Sequence, residues 1–177
     1  QTGTGKSTLV SLLLGFYESS NGKILLGGKD VENYSSEDLR KNILYVSAGA
    51  YLFNMSIKEN IVLGDNFSDE ELRRVAEMCC IDSPDINIVG GERGITLSSG
   101  QRQRVALARA LIRKPRILIL DEATSAVDAE IEESIFENMK ELDITTITVS
   151  HRLSTILKME RIAVMDKGTI VATGKHG

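Results

Sequence analysis

Two rhythms of apolar and polar positions run along this chain, one helical and one of short unbroken apolar runs, and together they predict an ordered series of elements. Leu9, Val10 and the Leu12-Leu13-Leu14 run make Ser7 to Phe16 an apolar-rich helix. Lys23 to Leu26 and Ile43 to Val46 read as short strands, with a turn at Gly27-Gly28 and a helix near Ser36 to Lys41 between them. Ser68, followed at capping-box spacing by Glu71, opens a helix through about Cys80. Pro84, Gly90 and Gly91 mark Asp82 to Glu92 as a loop. Ser98 or Ser99 caps a long helix through Ile112, which must stop before Pro115. Ile117 to Leu120 is continuously apolar, the pattern of a strand buried on both faces of a parallel sheet. Ala129 to Leu142 reads as a helix and Thr145 to Val149 as a β-branched strand. Ile162 to Met165 and Thr169 to Val171 read as a strand pair across Lys167-Gly168. Strands alternating with helices imply an α/β fold with a mostly parallel sheet flanked by helices.

Composition narrows the setting. A chain of 177 residues fits one domain with a sizeable core, and 42% apolar with 26% charged residues excludes wholesale disorder. The net charge of −4 gives no basic footprint, so no nucleic acid partner is expected. No apolar run approaches the roughly 18 residues that a membrane span needs, and no charged-then-apolar leader opens the chain. Cys79 and Cys80 are adjacent, a poor arrangement for a disulfide, and read as buried or half-buried thiols of a reducing, cytosolic compartment.

The candidate chemistry begins at the first residues. Backbone N–H groups of Gly3, Thr4, Gly5, Lys6 and Ser7 can ring the β- and γ-phosphates of a nucleotide, because glycine permits close backbone approach. Thr8 completes the segment, and the helix that follows aims its positive dipole end at the same place. Lys6 adds a point charge, and the Ser7 hydroxyl is placed to ligate Mg²⁺. The pattern G-x-x-x-x-G-K-[ST] puts its first glycine one position before Gln1, so the chain is expected to begin inside the loop and to be part of a longer polypeptide. Asp121, at the end of a buried strand, suits a water-mediated Mg²⁺ ligand, and Glu122 suits a general base for the attacking water. Ser98-Ser99-Gly100-Gln101 is either a second anion site at a helix start or a simple helix cap. Arg102, Arg104, Arg109 and Arg113 read as solvated helix charges, and His176 is given no role.

Several segments, in order, resemble those of ATP-binding cassette (ABC) ATPases. Leu97-Ser98-Ser99-Gly100-Gln101 is similar to the family signature, usually Leu-Ser-Gly-Gly-Gln, with Ser99 in place of the first glycine. The run from Ala123 to Asp128 resembles the D-loop, usually Ser-Ala-Leu-Asp. The run from Val149 to Ile156 resembles the switch-histidine segment of ABC exporters, around His151. The stretch from Leu52 to Ile61 resembles the segment that meets a membrane domain's coupling helix, and Gly91-Glu92-Arg93-Gly94 resembles an exporter loop.

The resemblance implies a P-loop NTPase domain over residues 1–177, lacking its first strands and its adenine-stacking aromatic, with a helical subdomain at about 52–113 carrying the signature. It implies ATP binding and hydrolysis powering export across a membrane through ATP-driven dimerisation. ATP would lie between Gly3 to Thr8 of one copy and Ser98, Gly100, Gln101 and Asp128 of another, with Mg²⁺ on Ser7 and Asp121 and with Glu122 and His151 catalytic. The implied partners are a second ABC ATPase domain, identical or not, and a transmembrane domain docked from Tyr51 to Ile61, at the cytoplasmic face of a plasma or inner membrane. Two departures stand against the pattern. Exporters carry a Mg²⁺-ligating glutamine after Val-Pro or Val-Ser, whereas Val46-Ser47 here precedes Ala48; and Ala76 to Gly91 is shorter than the usual helical subdomain. Ala48 keeps open a regulatory nucleotide-binding module, and a soluble, non-transport ABC ATPase stands as a further alternative.

Overall fold

The computed structural model describes residues 4–82, 86–87 and 97–175. Gly3, most of the Asp82 to Glu92 loop, the Gly91 to Gly94 segment and His176 lie outside the described residues. The chain divides into two compact units, one from Gln1–Ile43 with Val149–Gly177 and the other from Leu44–Thr148.

In the first unit, α1 (Lys6–Leu13) closes earlier than the apolar pattern predicts. Gly15 takes the left-handed conformation at φ +70°, and Gly15 N–H and Phe16 N–H donate back to Leu12 O and Ser11 O at 3.1 and 2.9 Å. That double bond pattern is a Schellman stop, and glycine reaches the required φ at no steric cost. Beyond it β1 (Leu25–Leu26) and β2 (Lys29–Asp30) form a short antiparallel hairpin across the expected Gly27-Gly28 turn; the second strand went unrecognised because it is only a Lys-Asp pair. A 3₁₀ turn at Val31–Asn33 leads to α2 (Ser36–Asn42), capped by Ser35.

The second unit is built on a sheet ordered β3 (Ile43–Ser47), β4 (Ile117–Asp121), β5 (Thr145–Val149), parallel as the alternation predicts. Helix α3 (Ile57–Val62) was not anticipated, although Ser56 and Glu59 have capping-box spacing and make both reciprocal hydrogen bonds. Helices α4 (Asp69–Met78), α5 (Ser99–Leu111) and α6 (Ala129–Met139) follow the expected pattern, α6 stopping short of Leu142 in a run of turns. Helix α5 packs on α3 and α4, and α4 on α6. Leu118, Ile119, Leu120, Val105, Leu107 and Ile135 are almost wholly removed from solvent, each burial worth about 1.5–3 kcal/mol. Cys79 is buried and Cys80 half-buried, both free thiols, and burial raises the pKa of each so that they stay protonated.

After β5 the chain returns to the first unit through the short helix α7 (Leu153–Ile156) and the antiparallel pair β6 (Ile162–Asp166) and β7 (Thr169–Gly174). No helix among the described residues is long and apolar enough to cross a membrane.

The cap of α4 generates a test. Glu71 accepts from Lys114 Nζ at 2.6 Å and from Ser68 N–H at 3.1 Å, and these bonds, Lys114's foremost, hold its carboxyl at about 2 against an ordinary 4.5. A depressed carboxyl stabilises fully above its unfolded value, so this contribution is complete above pH 4.5 and is lost as pH falls through about 2. An NMR titration of the Glu71 carboxyl carbon should show a midpoint near 2 that moves up toward 4.5 in Lys114→Ala. A wild-type midpoint at the ordinary value would contradict the network.

Candidate functional site

The glycine-rich segment sits at the start of α1 as expected. Gly5 is the N-cap at φ +92°, and among the described residues no side chain caps the helix and no acidic residue occupies its first turn to offset its dipole. Lys6 Nζ donates to Thr4 Oγ1 at 2.9 Å, while Ser7 and Thr8 are exposed. The turn between β6 and β7 braces the segment: Gly168 N–H donates to Thr4 O at 3.0 Å, and a Cβ at Gly5 would lie 3.1 Å from Gly168 Cα. His151, in the same unit, is exposed in the turn after β5, where Arg152 N–H donates to Ser150 Oγ at 3.0 Å.

In the other unit β4 delivers Asp121 and Glu122. Asp121 Oδ2 accepts from Tyr45 Oη at 3.1 Å, and Asp121 O accepts from Ala48 N–H at 2.9 Å. Burial first, then the Asp121 charge and hydrogen bond, raise the Tyr45 pKa and keep the phenol a proton donor. Nothing in the sequence points to Tyr45, because it reaches Asp121 only through strand pairing. Glu122, half-buried, adopts φ +52°, a conformation rare and costly for a side-chain-bearing residue and concentrated at functional sites. The loop beyond it is held by turns from Ser125 N–H to Glu122 O and Val127 N–H to Thr124 O, and by a buried bond from Thr124 Oγ1 to Glu132 Oε1 at 2.6 Å. Asp128 follows as the N-cap of α6, its exposed carboxylate taking no part in the capping.

The start of α5 shows the helix cap, one of the two readings offered for it. Ser98 Oγ accepts from Gln101 N–H at 3.1 Å and Gln101 Oε1 from Ser98 N–H at 2.8 Å, a full capping box. Gly100 packs against the loop after Glu122, where a Cβ would fall 2.7 Å from Ala126 O, so only glycine fits. Ser99 is exposed, which explains why serine is tolerated in place of the signature's first glycine. The structure thus brings Gly100 to the loop carrying Asp121, Glu122 and Asp128, while Thr4 to Thr8 and His151 belong to the other unit.

One expectation is overturned. The arginines of α5 are not solvated charges. Arg109 donates from Nε to Asn60 O at 2.8 Å, and from its terminal nitrogens to Tyr51 O at 3.0 Å and Asn60 Oδ1 at 3.1 Å. Arg113 donates to Ile61 O at 3.0 Å and Val62 O at 2.8 Å, Arg102 to Leu97 O, and Arg104 to Cys80 O. The last carbonyls of α3 have no partners within their own helix, and guanidinium forks from α5 and from Arg113 just beyond it supply them. Asn60, fully buried, also bonds both polar groups of Phe53. This clamp shapes the stretch from Tyr51 to Ile61. Leu52 is wholly buried, while Tyr51 and Phe53 stand exposed in an edge-on pair with centroids 5.2 Å apart.

Comparison with known proteins is consistent with these segments. A family model described as "ABC transporter" matches residues 1–125. The chain is 44% identical over 186 residues to the ATP-dependent lipid A-core flippase of Pectobacterium atrosepticum, covering 99% of this chain and 32% of that protein. It is 42% identical over 184 residues to the heterocyst differentiation ATP-binding protein HepA of Nostoc sp., covering 99% of this chain and 30% of that one. The chain therefore spans about a third of the length of the curated relatives it matches. Among solved structures, a bacterial Atm1-family ABC exporter with ATP bound superposes with a TM-score of 0.92 at 38% identity, over 99% of this chain and 32% of that one.

The clamp gives the test of this arrangement. Arg109→Ala should leave the carbonyls of Tyr51 and Asn60 without their donors and cost about 2–4 kcal/mol of unfolding free energy. Arg109→Lys, which keeps the charge and loses the fork, should recover only part of that. Denaturant midpoints measure both, and a change within about 0.5 kcal/mol for the alanine variant would restore the solvated reading.

Proposed function

This chain belongs to the ABC transporter family, and on that premise we propose that it is the ATP-binding and ATP-hydrolysing domain of a membrane exporter. The observation that carries the reading is Glu122, beside Asp121 at the end of a buried strand and held at φ +52°. There it acts as general base, taking a proton from the water that attacks the γ-phosphorus and releases ADP and phosphate. Lys6 and the amide groups at the start of α1 neutralise the phosphates, and His151 contacts the γ-phosphate from the turn after β5. Ser7 offers an exposed hydroxyl and Asp121 a carboxylate, hard oxygen donors that suit Mg²⁺. When bound, that ion offsets charge building up on the phosphate oxygens.

Ser98, Gly100, Gln101 and Asp128 complete the site of a second copy, head to tail, so that ATP drives dimerisation. This assignment is supported by the exposure of Ser98 and Ser99 at the start of α5. Residues 52–113 form the helical subdomain, and the exposed Tyr51-Phe53 pair is the surface that meets a transmembrane domain at the cytoplasmic face of the membrane.

Ala48 favours a second reading, a regulatory module that closes on ATP with little hydrolysis, because this position lacks the side-chain oxygen exporters place there. The retained Glu122 and the pinned backbone of Ala48 favour the hydrolytic one.

In the full-length protein, Glu122→Gln should lower ATP turnover by roughly 10²–10⁴ and leave ATP binding intact. Turnover within about twofold of wild type would remove Glu122 from the base role. Ala48 is exposed, so Ala48→Gln can place an oxygen without a clash and should raise Mg²⁺-dependent turnover several-fold. Steady-state assays across a Mg²⁺ titration separate the readings, since the regulatory module predicts little hydrolysis in either form.

A further inference from the structure

Gln103 is buried in the second turn of α5 at 3% exposure, yet it is polar where its neighbours Val105, Ala106 and Leu107 are apolar. Its Oε1 accepts from Ala126 N–H at 2.8 Å, and its Nε2 donates to Ser125 Oγ at 3.1 Å and to Ala48 O at 3.3 Å. One amide therefore spends both N–H donors and an acceptor on two other chain segments, the turn after β3 and the loop after β4. Ala48 N–H in turn donates to Asp121 O, which closes a ring from Gln103 through Ala48 and Asp121, along the Glu122 loop and back. Gly100, one turn before Gln103, presses on the same Ala126. An apolar side chain would fill this space as well as the amide does, and a buried polar group is costly unless every bond is made. What the amide adds is orientation.

We propose that Gln103 is a positioning residue for hydrolysis: it locks the start of α5 to the loop bearing Glu122, so that the segment facing a second copy and the carboxylate that activates water are held as one body. The inference rests on the ATPase reading above. It involves none of the residues at the start of α1, so binding of ATP to the single copy should be spared. A displacement of about 1 Å at a catalytic group costs as much as 10²-fold in rate, which sets the scale of the expected effect.

The test uses the full-length protein with Gln103→Met, Gln103→Glu, Ser125→Ala and the Gln103→Met/Ser125→Ala pair, with Glu122→Gln as control. Gln103→Met should lower kcat about ten- to a hundredfold with the KM for ATP within about twofold. Gln103→Glu keeps the acceptor for Ala126 N–H and loses both donations, and should recover part of the rate. Ser125→Ala should slow the wild type but add nothing to Gln103→Met, a coupling that a merely stabilising side chain would not produce. Should Gln103→Met fail to fold, by its thermal unfolding midpoint, Gln103→Glu and Ser125→Ala decide alone: a fall in kcat at constant KM supports the role, and wild-type kcat overturns it. Unchanged kcat in Gln103→Met, a loss carried by KM, or independent multiplication of the two substitutions also overturns it. Those results leave the ATPase reading standing, whereas wild-type turnover in Glu122→Gln would remove that reading and this inference with it.

Discussion

Burial of β4 is the constraint to which the larger unit answers. Leu118, Ile119 and Leu120 leave that strand no exposed face, so its first charged residues can emerge only at its carboxyl end. Asp121 and Glu122 emerge there together, and the backbone must turn at once. Glu122 makes the turn at φ +52°, a conformation costing roughly 1–3 kcal/mol that lasts only where the surroundings over-determine it. The surroundings are specific: Ala48 N–H on Asp121 O, Tyr45 on its carboxylate, Gly100 against Ala126, and Thr124 bonded to Glu132 in the interior.

Helix α5 is the second organiser, and it works mainly through polar atoms. Its apolar face packs on α3 and α4, while Arg109, and Arg113 just past its end, reach across to the carbonyls at the end of α3. A short helix of six residues cannot satisfy its own C-terminal carbonyls, and a guanidinium with a fixed fork is the side chain best suited to do so from a neighbour. Desolvation, then the nearness of Arg113, lowers the Arg109 pKa, yet a guanidinium stays charged in proteins. The same helix thereby offers a capped N-terminus at Ser98 and holds the exposed Tyr51-Phe53 pair in place.

Position 48 shows how a departure from a family pattern is accommodated. Both structural bonds there are made by the backbone, N–H to Asp121 O and C=O from Gln103 Nε2. An alanine at this position therefore leaves both bonds in place, whatever its side chain lacks. Ser99 is the complementary case, an exposed position one place before a glycine that admits no side chain.

Much of this protein was legible in one dimension, because the signals are local. The capping box at Ser68, a cap at Ser98 or Ser99, the apolar run of β4, the glycine-rich start of α1 and the order of the family-like segments depend on residues close in sequence. The family followed from those segments. What the sequence could not decide rests on contacts between distant residues. Arginines that look solvated by helical pattern are consumed by carbonyls about fifty positions away, Tyr45 meets Asp121 across paired strands, and Gln103 reads as one more polar residue on α5. Hydrogen bonds to backbone carbonyls carry no side-chain signature in the partner, so only the tertiary structure could reveal which polar residues hold the site together.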